Sequence, residues 1–209
     1  MTNIALVEKL FTVAEYIDFE EKSEIRHEFH EGHLYPMMSG TSDDHNEIIL
    51  NIATILRTTF LKQGCKIYAE NLKLQIAENS KYVYPDILLT CDERDSTSAY
   101  IKRYASLIVE VLSKSTAAYD KGGKFELYQR VPSIQYYLMV DSRWQSVQLY
   151  SRTDKANLWT YEQFYERNEI IEFPKLNFKL SLDDIYQVLN LPKRLSYLLG
   201  EIAETEPQV

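Results

Sequence analysis

Two apolar runs, each carrying one acid, constrain this chain more than any other feature. Pro85-Asp86 opens the run Ile87-Leu88-Leu89, and Glu110 interrupts a second run between Ile108-Val109 and Val111-Leu112. A carboxylate inside an apolar strand is costly to bury unless it is paired or bound to a cation. Two such strands between Tyr84 and Tyr128 point to metal ligation by Asp86 and Glu110. The same stretch continues through Ser113 to Thr116 into a polar helix start with Asp120, Lys121 and Lys124.

The rest of the chain sets the frame for these runs. At 209 residues and 45% hydrophobic content it can bury one substantial core, so a single domain over 1–209 is expected. A net charge of −8 argues against a generally basic nucleic-acid binder but allows local phosphate contacts. Cys65 and Cys91 belong to no paired motif, which favours a reducing compartment. No apolar stretch approaches the roughly 20 residues that span a bilayer, and no signal-peptide core opens the chain. A cytoplasmic protein without membrane contact is the expectation.

Thr12 and Glu15 have capping-box spacing, which predicts a helix through Phe19. Ile25–His30 and His33–Met38 flank the turn pair Glu31-Gly32 and read as a hairpin at a sheet edge. Apolar residues three and four apart from Asp44 to Phe60 predict an amphipathic helix ended by Gly64. Strands are expected over Cys65–Glu70, Leu72–Ala77, Tyr82–Cys91 and Ser106–Leu112, the last central because both its faces are apolar. Thr116 is read as the cap of a helix over Ala117–Val131. Strands over Ile134–Asp141 and Ser146–Ser151 then pair, and strands near Trp159 and Ile170 precede a helix over Leu182–Leu189. The order predicts an α/β sandwich with a mixed sheet flanked by helices.

Several of these residues together resemble a known family. They are Pro85-Asp86, Glu110-Val-Leu-Ser-x-Ser-Thr116, Asp120-x-x-x-Lys124-x-x-x-Tyr128 and Tyr136-Tyr137-Leu138-x-Val140-Asp141. Thr12-x-x-Glu15-Tyr16, Arg26-x-Glu28, Gly32, His45 and Leu182-Asp-Asp-Ile185 extend the match. The chain resembles the Uma family of restriction endonucleases, within the PD-(D/E)XK nuclease superfamily. The resemblance implies a restriction-endonuclease-like core over 41–141, preceded by a helix and edge hairpin over 1–40 and followed by strands and a helix over 142–209. It also implies Mg²⁺- or Mn²⁺-dependent hydrolysis of DNA, with Asp86, Glu110 and the Val111 carbonyl as ligands.

A hard divalent ion suits such oxygen ligands, and it can activate water and offset charge on a leaving alkoxide. The superfamily pattern places a lysine two residues after the glutamate, where this chain has Leu112. The resembling family draws its lysine from the following helix, which points to Lys124. Asp120, Lys124 and Tyr128 share a helix face at spacings of four, and Lys121 lies one position off it. Lys124 is therefore the candidate for stabilising charge and orienting water, without ligating the ion or altering ion affinity. The plainer reading of Lys124 is an exposed i,i+4 pair with Asp120.

Glu28 and Glu47 are secondary candidates; Glu47 alternatively completes a capping box with Asp44. His45 is read as a phosphate contact, an outer member of the site or a structural residue. His27, His30 and His33 lie across a hairpin and are not expected to form a zinc site. Lys102-Arg103 on one side of the Glu110 strand, and Lys114, Lys121 and Lys124 on the other, suggest a weak phosphate track; Lys193-Arg194 is a further basic pair. A tyrosine-rich surface and an edge hairpin suggest a homodimer. Two functions stay open: an active DNA nuclease, or the same fold used only to bind nucleic acid or a protein.

Overall fold

The computed structural model describes residues 9–37, 42–77, 80–114, 116–155 and 158–193. Helix α1 (Val13–Lys22) starts on the expected capping box: the Glu15 N–H donates to Thr12 Oγ1 at 3.2 Å and the Thr12 N–H to Glu15 Oε2 at 2.8 Å. Strands β1 (His27–His30) and β2 (His33–Pro36) form the hairpin. Glu31 and Gly32 have φ of 51° and 95°, the paired left-handed conformation that a two-residue turn needs to match strand twist. The end of the second expected strand, at Met38, lies outside the described residues.

Helix α2 (Asp43–Phe60) buries Ile48, Ile49, Ile52, Leu56 and Phe60 on one side, as its periodicity requires. Its cap is Ser42, whose Oγ accepts the His45 N–H at 3.3 Å. Position three after the cap is thus His45, so the capping box expected of Asp44 and Glu47 does not form. A short 3₁₀ turn follows, and Gly64 closes it at φ 82°.

The next strands are β3 (Lys66–Ala69), β4 (Lys73–Ala77), β5 (Lys81–Val83), β6 (Ile87–Thr90), β7 (Ile101–Lys102) and β8 (Leu107–Leu112). The expected single strand over Tyr82–Cys91 is therefore two strands broken at Tyr84-Pro85-Asp86. Proline fixes its own φ, has no N–H for a ladder, and restricts the residue before it. The break sends β5 and β6 into different sheets.

Beyond β8, helix α3 (Ala117–Tyr119) runs into a π turn (Asp120–Lys124) and on into α4 (Phe125–Gln129). Thr116 makes no side-chain cap; Ser113 accepts instead, its Oγ taking the Thr116 N–H at 3.2 Å and its carbonyl the Ala117 N–H at 3.2 Å. Strands β9 (Tyr136–Asp141), β10 (Val147–Arg152), β11 (Trp159–Phe164), β12 (Ile170–Phe173) and β13 (Phe178–Ser181) precede α5 (Leu182–Ile185). This last helix is shorter than expected, because Tyr186 leaves it to place its buried hydroxyl among the backbone groups of Asp141, Trp144 and Ser146.

One sheet has the order β2-β1-β5-β4-β7, a second has β11-β10-β9-β8-β6-β3, and β12-β13 form a separate pair. In the six-stranded sheet β8 and β9 are parallel and the other neighbours antiparallel, so the mixed sheet and the central position of β8 are as predicted. One face of β8 presents Leu107, Val109 and Val111 to α2 and the β12–β13 pair. The other presents Ile108 and Leu112 to Leu127 and Tyr128 of α4 and to Leu74 and Val83 of the first sheet. Glu110 belongs to this second face by strand alternation.

Cys65 and Cys91 form a disulfide, which overturns the expectation of unpaired thiols. The antiparallel register that sets Lys66 opposite Thr90 also sets Cys65 opposite Cys91. Twenty-six positions of separation hide that adjacency from a motif search. Among the described residues, no helix is long and apolar enough to cross a membrane.

Candidate active site

The β6–β8 register brings the two strand acids together. Ile87 is opposite Val109, so the next step outward sets Asp86 across from Glu110, and alternation turns both side chains to the α3–α4 face. The β6 ladder stops there while β8 continues. The Val111 N–H that would extend it donates instead to Asp86 Oδ2, at 2.6 Å.

Lys124 approaches from the π turn. Its Nζ donates to Glu110 Oε1 at 2.9 Å and lies 3.2 Å from Asp120 Oδ1 and 3.8 Å from Glu28 Oε1. Tyr128, one helical turn on, donates its hydroxyl to the same Glu110 oxygen at 2.5 Å. The structure thus corrects the exposed-pair reading of Lys124: its side chain is 9% exposed and engages three acids, not one. Tyr137, from β9, donates its hydroxyl to the Asp120 carbonyl at 2.9 Å and pins the start of the π turn.

Glu28 enters from β1 of the other sheet. Its Oε2 accepts the Tyr119 hydroxyl at 2.8 Å and lies 3.4 Å from His30 Nε2. His45, at the first turn of α2, sets Nε2 3.7 Å from Asp86 Oδ2; its buried Nδ1 has no hydrogen-bond partner. Lys121 and Glu47 are both half-buried.

Three carboxylates, those of Glu28, Glu110 and Asp120, therefore meet one lysine in a largely buried space, and Asp86 stands next to them beside His45. Burial pushes the Glu110 carboxyl well above the usual range against the pull of Lys124, and burial raises Asp86 as well. For Lys124 burial works against the charge, but Glu110, Asp120, Glu28 and Asp86 outweigh it and hold the ammonium well above its ordinary pKa. Glu28 goes the other way: burial would raise it, yet hydrogen bonding to His30, the Lys124 charge and the Tyr119 hydroxyl lower it. Asp120 Oδ1 is buried and accepts no hydrogen bond.

This surplus of hard, negatively charged oxygens is the donor chemistry that Mg²⁺ or Mn²⁺ takes. Among the described residues, no three of the His, Cys, Asp and Glu side chains converge as a metal centre would need. The site as it stands offers Asp86 and Glu110 facing each other, with the Lys124 ammonium on Glu110 and also paired with Asp120 and Glu28. The histidines of the hairpin do not converge either. His27 Nδ1 is 3.1 Å from Glu20 Oε2, and His30 turns to Glu28 and Tyr119.

The basic residues expected to form a phosphate track differ in exposure. Lys102 is buried and donates to the Asp95 carbonyl at 2.8 Å, and Lys124 is committed to the acids. Arg103 and Lys114 are exposed, and Lys193 pairs with Glu166 at 2.5 Å; Arg194 lies outside the described residues. Sequence reasoning missed Glu20, which is fully buried and accepts the Tyr84 hydroxyl at 2.7 Å and the His27 N–H at 2.9 Å. It also missed Tyr119. Neither sits in an apolar run, so neither carried a signal.

The mixed six-stranded sheet with its flanking helices is a restriction-endonuclease-like fold. A solved structure described as "a putative nuclease belonging to DUF820 from Anabaena variabilis ATCC 29413" shares this fold, with a TM-score of 0.68, 17% identity, and coverage of 84% of this chain and 97% of that one. The Uma2 family model, described as "Putative restriction endonuclease", matches residues 13–183, and the chain belongs to that family. Two relatives come from Synechocystis sp. (strain ATCC 27184 / PCC 6803 / Kazusa). The uncharacterized protein slr1290 is 36% identical over 175 residues, covering 84% of this chain and 90% of its own length. The uncharacterized protein sll1609 is 33% identical over 167 residues, covering 79% and 93%.

Proposed function

We propose that this chain is a divalent-metal-dependent endonuclease that hydrolyses DNA phosphodiester bonds. The observation that carries the reading is the set of buried acids around Lys124, with Asp86 and Glu110 facing each other across adjacent strands. Asp86, Glu110 and the Val111 carbonyl would hold Mg²⁺ or Mn²⁺. When bound, the ion supplies a more acidic water and offsets charge on the leaving oxygen. Asp86 is kept in register by the Val111 N–H, and Tyr128 holds Glu110. Lys124 supplies positive charge to the phosphate and orients the attacking water, with Asp120 and Glu28 steering its ammonium. His45 Nε2, 3.7 Å from Asp86 Oδ2, supports that carboxylate from the first turn of α2.

Plasmid nicking with Mg²⁺ or Mn²⁺ tests the reading. The wild type should nick and Asp86→Ala should not; equal activity of the two proteins would refute it. One observation favours a second reading, a nuclease fold that only binds nucleic acid or a protein: Glu110 Oε1 is fully engaged by Lys124 and Tyr128. Nicking by neither protein, together with DNA retention by the wild type, would support that reading.

The same proposal includes a homodimer, since two sites on one duplex need two chains and β2 is an open sheet edge bearing the exposed Tyr35. A light-scattering mass at the 24.5 kDa of one chain, at micromolar concentration, would remove that part. We also propose the cytoplasm as the compartment, because DNA is there. Alkylation of thiols at lysis would reveal whether the Cys65–Cys91 bond exists in that milieu.

A further inference from the structure

Lys124 lies among the acids as an ion would. Its ammonium contacts Glu110, Asp120 and Glu28 at once, from three separate parts of the fold. Asp120 Oδ1, buried and without a hydrogen bond, lies 3.2 Å from that charge. Removing the ammonium with nothing in its place would leave buried carboxylates facing one another, a costly state.

The segment that carries Lys124 is built differently from the helix around it. Asp120–Lys124 is a π turn containing Gly122 and Gly123. Such turns insert one extra residue into a helix, and two adjacent glycines let the backbone be redrawn with little steric cost. A Cβ on Gly122 would meet nothing within 4 Å, so the outer side of the turn has room to move.

We propose that Lys124 is the resident counter-ion of the site, and that it leaves Glu110 when a divalent cation enters, with the Gly122–Gly123 turn as the part that yields. This rests on the reading of Asp86 and Glu110 as metal ligands. An ammonium and a divalent ion on one carboxylate oxygen repel strongly at that range. The exchange keeps the acids neutralised in the ion-free protein and frees the lysine for a substrate phosphate only once the ion is present. Lys124 therefore acts on ion affinity as well, contrary to the expectation from sequence that it would not.

Calorimetric titration with Mn²⁺, comparing wild type and Lys124→Met, tests the exchange. The variant should bind more tightly, by about tenfold or more, because the ion no longer displaces a cation. Binding by both proteins with equal affinity, or weaker binding by the variant, overturns the exchange and leaves the ligand reading intact. Binding by neither removes both. Since Lys124→Met unpairs buried acids and can fail to fold, the wild type gives an independent readout. The ¹H–¹⁵N signal of a buried, slowly exchanging Lys124 ammonium is expected without ion and should move or vanish on Mg²⁺ saturation. An unchanged signal at saturation overturns the proposal.

Discussion

Asp86 Oδ2 accepts the backbone N–H of Val111 at 2.6 Å, so the acid at the entrance of β6 is fastened to the residue that follows Glu110. The two acids therefore cannot separate without breaking a charge-assisted hydrogen bond, a contact worth about 1.5–3 kcal/mol. Their spacing is set by strand register and not by a flexible loop.

Ion binding should depend on this pair. Calorimetry with Mn²⁺ should show binding to the wild type and none to the Asp86→Ala, Glu110→Ala double mutant. Equal heats for the two proteins would mean that the ion, if any, binds elsewhere.

Cleavage should depend on Lys124 much more than on its neighbour. Lys124→Ala is expected to lower the nicking rate by about 10²–10³-fold, the usual cost of one well-placed electrostatic group. Lys121→Ala should stay near wild type. The reverse pattern in a side-by-side plasmid assay would show that the other lysine serves the site.

Gly123→Ala should damage the site without touching a charged group. The new Cβ would lie 2.7 Å from Cε2 of Tyr119, so either the ring or the π turn has to shift. Overpacking of this kind costs about 1–3 kcal/mol, measurable by chemical denaturation. Gly122→Ala, which meets nothing within 4 Å, should cost no more than the intrinsic change in backbone freedom. Equal stability of the two variants would contradict the close contact.

Without ion, stability should fall as pH rises from the ordinary carboxylate range towards neutrality. Asp86 and Glu110 have folded-state pKa values raised by burial, so over that interval the folded state binds more protons than the unfolded state and loses ground with each unit. Glu28, lowered in the fold, gives a smaller opposite contribution that is present above its unfolded pKa and lost on acidification. Glu110→Gln should flatten the decline, and saturating Mg²⁺ should do the same in the wild type. A denaturation series whose slope with pH is unaffected by either would count against the raised values.

The Cys65–Cys91 bond should be visible by alkylation under denaturing conditions, with no thiol modified before reduction and both modified after it. Closing a loop of this length contributes on the order of 3 kcal/mol in chain-entropy terms. Reduction should therefore lower the denaturation midpoint, and an unchanged midpoint would show that β3 does not need the bond.

Much of this was readable in the residues, for identifiable reasons. The apolar face of α2, the Thr12–Glu15 box and the central position of β8 follow from short-range periodicity and capping. Asp86 and Glu110 stood out because an acid in an apolar run is anomalous. The break at Pro85 was misread because apolar residues continue on both sides of it, and hydropathy does not register a change of sheet. The π turn was invisible because α spacing already aligned Asp120, Lys124 and Tyr128. The burial of Lys102, the role of Glu20 and the disulfide depend on contacts between segments distant in sequence, which composition and spacing do not encode.

The three-residue passage from β5 to β6 joins the two larger sheets and ends on Asp86, while Glu28, Glu110 and Lys124 come from β1, the centre of β8 and the following π turn. The parallel neighbour that secures the whole of β8, β9, is synthesised after all of them. A ribosome-bound chain that has not yet released β9 thus has every one of these residues but no finished frame to hold them. The site proposed to cut DNA thus has no complete frame until β9, which ends at Asp141, has left the ribosome.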